Sequence, residues 1–269
     1  MHLKRWITAI VLLPLLFLII LKGSTLLFSI LMAFIAVAAM TEYFSIVSFP
    51  LSGKIPLTIK FFAHGVALAL IAGAQTGSIQ IIVAALAMNI ILLSMTVIAD
   101  FSRESSILDS VSKQIQGVVY IPLFLSMFVL IRNSENGALW VVWLWLIIGA
   151  GDTGAFYCGM NFGKRALAPK VSPKKTVEGA IGGLFAAVLV GIVFSRLFLP
   201  EISPCMVVLF AAVAAAAGQI GDLFESALKR AGNIKDSGKI LPGHGGILDR
   251  IDGLLFAVPV AYVFKVFLI

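Results

Sequence analysis

The stretch MVVLFAAVAAAAGQIGDLFESALKRAGNIKDSGKILPGHGGILDRID, Met206–Asp252, decides how this chain folds. It opens on fifteen uncharged residues, Met206–Ile220, rich in alanine. Asp222, Glu225, Ser226 and Lys229 then follow at spacings of 3, 4 and 7, which places them on one face of a helix. An ionisable group directly after so apolar a run sits at or within the rim of a bilayer, where charge is costly and marks a functional site. Next comes a loop with Lys235, Asp236, Lys239 and His244 among Gly238, Pro242, Gly243, Gly245 and Gly246. Glycines allow positive φ and close backbone approach, so successive N–H groups can line an anion. Asp249 and Asp252, at i and i+3, open another apolar run. Two membrane helices joined by a charged, glycine-rich loop is the reading that follows.

Composition extends it to the whole chain. The 269 residues are 60% hydrophobic and 12% charged, with a mean hydropathy of +1.07. Soluble chains carry about 25% charged residues, so a soluble domain, a disordered chain and a secreted disulfide scaffold are excluded. The fold class is all-α, a polytopic integral membrane protein with about nine transmembrane helices and a cytoplasmic N-terminus. The expected spans are Trp6–Leu21, Leu26–Met40, Phe61–Ala74, Ile79–Ala99, Val118–Ile131, Leu139–Cys158, Ala180–Leu199, Met206–Ile220 and Ile251–Ile269. The first has His2, Lys4 and Arg5 before it but no small-residue cleavage site after it, and reads as a retained anchor. Cys158 and Cys205 are read as small packed residues, neither a metal knuckle nor a redox pair. His64, on an apolar stretch, reads as a packed or interfacial histidine.

Charge gives the orientation. With the N-terminus inside, sixteen of twenty basic residues fall on the cytoplasmic side, leaving Lys22, Arg132, Arg196 and Lys265 outside. Eleven of thirteen acids fall inside too, leaving only Glu135 and Glu201 outside. The net charge of +7 therefore lies between spans and points to anionic lipid and phosphate groups rather than nucleic acid. Residues 1–135, about five spans, carry no evident chemistry, whereas residues 136–269, about four spans, form the catalytic region with a cytoplasmic-side site.

Asp249 and Asp252 alone could serve only as charge at a helix N-terminus. With Asp222 they make an all-oxygen set of the kind that holds Mg²⁺, and Lys229, Arg230 and Arg250 supply phosphate contacts.

The segment Ser226–Asp252 resembles the signature of the phosphatidate cytidylyltransferase (CDP-diacylglycerol synthase) family: S-x-x-K-R, four residues, K-D, then P-x-H-G-G-x-x-D-R-x-D. Ser226, Lys229, Arg230, Lys235, Asp236, Pro242, His244, Gly245, Gly246, Asp249, Arg250 and Asp252 occupy its specified positions. A second block is similar to the family's D-x-x-A-[FY]-x-x-G and S-P-K-K-T-x-E-G, here Asp152, Ala155, Phe156, Gly159, then Ser172, Pro173, Lys174, Lys175, Thr176, Glu178 and Gly179. Val177 stands where members often have Trp. Ser172-Pro173 favours a turn, with Lys174 and Lys175 entering the next helix beside its N-terminus. The resemblance covers roughly the last 120 residues.

The resemblance implies transfer of CMP from CTP to phosphatidic acid, giving CDP-diacylglycerol and pyrophosphate. Such a transfer needs positioning and charge neutralisation more than covalent catalysis. It implies Mg²⁺ on Asp222 and Asp249, with room for a second cation and with Asp252, Glu225 and Glu178 as further ligands or outer groups. Lys229, Arg230 and Arg250 complete the catalytic set, and Ser172, Lys174, Lys175, Thr176, Ser226, Lys235, His244, Gly245 and Gly246 are the expected phosphate contacts. His244 is read as a contact rather than a base, because a phosphate nucleophile is already largely ionised near neutral pH. The implied partners are CTP, phosphatidic acid and the lipid bilayer, with a homodimer left open. The location is a multi-pass integral membrane protein, the inner membrane if bacterial.

A transporter would also show many spans, yet the charge gathers at one face. A CDP-alcohol phosphotransferase would need D-G-x-x-A-R…G-x-x-x-D-x-x-x-D, which is missing. A P-loop kinase would need a longer Gly159–Lys164 run. A cytidylyltransferase for another phospholipid remains the alternative within the class.

Overall fold

A computed structural model of the chain describes residues 14–48, 55–100, 107–238, 240 and 245–269. Residues 14–22 are helical (α1). There follow α2 (Thr25–Val47), α3 (Leu57–Gln75), α4 (Ile79–Asp100), α5 (Ile107–Val118), a π-helical turn (Val119–Leu123) and α6 (Phe124–Asn133). The chain continues through α7 (Gly137–Phe162), β1 (Ala166–Ala168), β2 (Ser172–Thr176), α8 (Val177–Phe198), α9 (Pro204–Ala231), α10 (Leu248–Val263) and a last π-helical turn (Phe264–Leu268).

Among the described residues, eight helical stretches are long and apolar enough to cross a membrane, and they match the second to ninth expected spans one for one. The first, Trp6–Leu21, lies mostly outside the described residues. Two spans extend well beyond expectation: Met206–Ile220 runs on to Ala231 within Pro204–Ala231, and Val118–Ile131 is the second half of a span running Ile107–Asn133. In the latter the difference lies at the start. Its first half, α5, hides from a hydropathy count because it carries Asp109, Lys113, Gln114 and Gln116. Those polar groups are matched within the fold: buried Gln114 and Asn89 exchange amide hydrogen bonds of 2.9 and 3.3 Å. The π-turn centres on Pro122, whose missing N–H breaks the regular ladder.

The chain forms two compact units, Met1–Asn133 with Leu228–Arg250, and Ser134–Ala227 with Ile251–Ile269. In the first, α2 contributes Phe28, Met32, Met40, Tyr43 and Phe44 to the core. Gly117 backs onto the Tyr43 ring so closely that a Cβ there would meet Cε1 at 2.6 Å. His64 is hydrogen-bonded at both ring nitrogens, to Lys60 O and to Thr41 Oγ1, as a packed histidine should be.

In the second unit, Trp140, Trp143, Phe194, Phe210 and Phe264 form an aromatic cluster, with Trp143 and Phe210 ring centres 4.6 Å apart. The buried Trp143 Nε1–H donates to Gly191 O at 3.0 Å. Farther along α7, glycines let α7 and α8 approach closely: a Cβ at Gly154 would meet Ala186 Cβ at 2.6 Å and Gly182 O at 2.9 Å. Such small-residue contacts carry helix association where lipid removes the hydrophobic driving force.

Three local expectations are corrected. The turn falls at residues 169–171, not at Ser172-Pro173. Lys174 and Lys175 lie in strand β2, ahead of the helix rather than within it. The reason is pairing: β1 and β2 form a small antiparallel hairpin, and α8 cannot begin before Thr176, its N-cap. Cys205, expected to be packed, is exposed in the first turn of α9.

Candidate active site

In the unit formed by Ser134–Ala227 and Ile251–Ile269, a cavity of about 470 Å³ opens beside the hairpin. Its polar wall carries Asp152 from α7, Ser172, Lys174, Lys175 and Thr176 from β2, and Asp222 from α9. Its apolar wall includes Phe156, Met160 and Leu167. Lys175 Nζ is ion-paired with Asp222 Oδ2.

Local structure explains how two consecutive lysines reach one cavity. The ladder advances from Ala166↔Thr176 to Ala168↔Ser172, two residues on β1 against four on β2. The extra length sits in β2 beside the lysines, and such irregularities re-aim side chains. The hairpin is fastened at its base. Glu178 Oε2 accepts from Lys164 N–H at 3.0 Å and Arg165 N–H at 3.2 Å, and Oε1 from Arg165 Nε–H at 3.3 Å. Thr176 Oγ1 accepts from Gly179 N–H at 3.1 Å, capping α8. Gly163 packs on Thr176, where a Cβ would meet its Cγ2 at 2.8 Å. Glu178, expected as a cation ligand or outer group, thus has a structural task that the sequence did not reveal.

The second group lies in the other unit. α9 ends with Asn233 in the left-handed region (φ 52°), and Ile234 N–H returns to Lys229 O at 2.9 Å. Lys229 Nζ donates to Asp249 Oδ1 at 2.7 Å, with the two side chains 16% and 8% exposed. Asp249 Oδ2 accepts from Ser237 N–H at 3.0 Å and Gly246 N–H at 2.9 Å. Gly245 turns the chain at φ +88°, a conformation that favours glycine. Glu42 of α2 accepts from the same loop: Ser237 Oγ–H at 3.1 Å, Ile247 N–H at 3.1 Å and Leu248 N–H at 2.8 Å.

The remaining expected residues are dispersed in character. Glu225 is buried, Ser226 and Asp252 are half-buried, and Arg230, Lys235 and Arg250 are exposed. Asp252 Oδ1 accepts from Gly253 N–H at 2.8 Å. His244, with Pro242 and Lys239, lies outside the described residues. Two acids with evident roles were assigned none from sequence. Asp152 had a signal, its place in the second block; Glu42 had none.

Among the described residues, no three of His, Cys, Asp and Glu gather closely enough to hold a metal by themselves. Mg²⁺ does not require that, because it usually takes one or two carboxylates and completes its shell with water and substrate phosphate. Asp152 and Asp222, two hard oxygen donors on one cavity wall, fit such a cation.

Among the described residues, helices apolar enough to cross a membrane thus carry acidic and basic groups together on one cavity. Residues 3–268 match the Cytidylyltransferase family, and the chain belongs to it. Curated relatives named phosphatidate cytidylyltransferase are similar to it. That of Bacillus subtilis is 44% identical over 148 residues, 54% of each chain. That of Thermotoga maritima is 41% identical over 167 residues, 55% of this chain and 57% of the relative. That of Staphylococcus saprophyticus is 34% identical over 260 residues, 95% of each.

Proposed function

We propose that this protein transfers CMP from CTP to phosphatidic acid, releasing pyrophosphate and leaving CDP-diacylglycerol in the membrane. The observation that carries this reading is the end-to-end similarity to a relative of that name, joined to a cavity with two lysines and two acids on an apolar frame. A phosphate oxygen of the lipid attacks the α-phosphorus of CTP. The bond from that phosphorus to the bridging oxygen breaks, and pyrophosphate leaves with the electron pair.

Lys174 and Lys175 hold phosphate oxygens and offset the charge that gathers on them in the transition state. Ser172 and Thr176 add hydroxyl donors on the same wall. Phe156, Met160 and Leu167 give the lipid an apolar approach and limit water near the phosphate. Lys229, Arg230 and Arg250 supply further cationic contacts, with Ser226, Lys235, His244, Gly245 and Gly246 as the remaining phosphate contacts of the family pattern. Mg²⁺ is the cation this reading assigns, with Asp222 and Asp152 as cavity ligands, Asp249 and Asp252 as the acids the family pattern adds, and Glu225 as a further acid one position ahead of that pattern. When bound, it supplies charge neutralisation to the phosphates. The cytoplasmic leaflet is the face assigned to the site, as the distribution of Lys and Arg favours.

The test is incorporation of labelled CTP into chloroform-soluble product by purified protein given phosphatidic acid, with and without Mg²⁺. Metal-dependent labelling with matching pyrophosphate release is expected. Labelling only with another phospholipid acceptor would keep the chemistry and replace the substrate. No nucleotide chemistry in folded protein would return the transporter reading. Light scattering on the same preparation decides between a monomer and the homodimer left open above.

A further inference from the structure

Glu42 lies near the end of α2, in the half of the chain to which sequence gave no chemistry. It is only 4% exposed, and a carboxylate so placed persists only when well hydrogen-bonded. Its donors come from 195 to 206 positions later: the Ser237 hydroxyl and the Ile247 and Leu248 amides. Gly238 and Gly246 stand against it, and a Cβ at either would collide with the carboxylate.

The same few residues serve Asp249. Ser237 gives its hydroxyl to Glu42 and its N–H to Asp249. Gly246 gives its N–H to Asp249, and the two amides that follow it go to Glu42. Ser237 and Gly246–Leu248 are thereby held between two carboxylates, and one of these is ion-paired with Lys229. A displacement of Ser237 and Ile247 at Glu42 moves the Ser237 and Gly246 amides that orient Asp249, and with them the lysine.

We propose that Glu42 is a positioning residue for CMP transfer: through Ser237 and the Ile247–Leu248 amides it sets the loop that fixes Asp249 and Lys229. This rests on the transfer reaction assigned above. It makes α2 a working part of the enzyme, not merely its packing.

Glu42→Gln is nearly isosteric but turns an NH₂ toward a donor, so it disturbs the loop without opening a cavity. Turnover of folded, monodisperse full-length protein would be measured with CTP and phosphatidic acid, alongside amide exchange at Ile247 and Leu248. The expected result is a kcat lower by about tenfold or more, a KM for CTP within about threefold, and faster exchange at both amides. Ser237→Ala removes one donor only and should lower kcat by about threefold, with the double variant less than multiplicative because both break one network. Unchanged kcat per folded molecule in both variants overturns the proposal. So does a Glu42→Gln chain that fails to fold while Ser237→Ala keeps full turnover, since Glu42 is then structural alone. Wild-type protein without CMP transfer overturns the reaction reading and the proposal with it; active wild type with unaffected variants overturns the proposal alone.

Discussion

Asp249 sits between a lysine and two backbone amides, so its charge holds three donors in place at once. Asp249→Asn keeps the shape but presents an NH₂ to donors, and buried donors left without an acceptor cost about 1–3 kcal/mol each. Turnover should fall by about 10²-fold or more while membrane insertion is unchanged; normal turnover in extracted protein would remove Asp249 from the site. Asp152→Asn is expected to lower kcat by about tenfold and to raise the Mg²⁺ needed for half-maximal rate, read from a metal titration. The residue scale is also where sequence reading was most uneven. Lys229 and Asp249 were legible because a fixed spacing carried them. Asp152 was visible as a motif position but not as a cavity group, since nothing in one strand of text says which helix faces α9. Glu42 was invisible, as its hydrogen-bond partners lie nearly two hundred residues away.

Elements were legible wherever apolar length alone defined them. Eight expected spans have a helix in the right place, and two fall well short of it: at α9, where the helix runs on into charged residues, and at α5, where buried polar groups pair with each other. The β1–β2 hairpin was not legible: three- and five-residue strands are too short for any periodicity, and lysines seldom announce a strand. Its fastening makes a prediction at this scale. Glu178→Gln removes the charge holding the Lys164 and Arg165 amides, and should raise the KM for CTP about threefold to tenfold while the melting temperature moves little. An unchanged KM would mean the hairpin keeps its shape unaided. Gly154→Leu tests the α7–α8 contact instead. The added side chain meets Ala186 and the Gly182 carbonyl, and thermal unfolding in detergent should shift down by several degrees, as overpacking by about 1–3 kcal/mol implies.

Across the whole molecule, the charge distribution predicts one topology. In a background lacking Cys158 and Cys205, cysteines at positions 174 and 235 should react with an impermeant maleimide only in inside-out vesicles, and cysteines at 135 and 201 only in right-side-out ones. Labelling of 174 and 135 from the same side would break the sixteen-to-four assignment. How the chain groups into units was not legible from its order: the loop segment Leu228–Arg250 belongs with residues of the first half, although the sequence places it beside the last spans.

The Glu42 contacts also have a meaning in time. A ribosome adding about 5–20 residues per second needs roughly 10–40 s to make the 195 residues that separate Glu42 from Ser237. Throughout that interval the second helix carries an acid whose three donors do not yet exist. A chain interrupted before residue 237 therefore differs from a finished one by an acid without these three donors, a chemical record of whether synthesis reached its end.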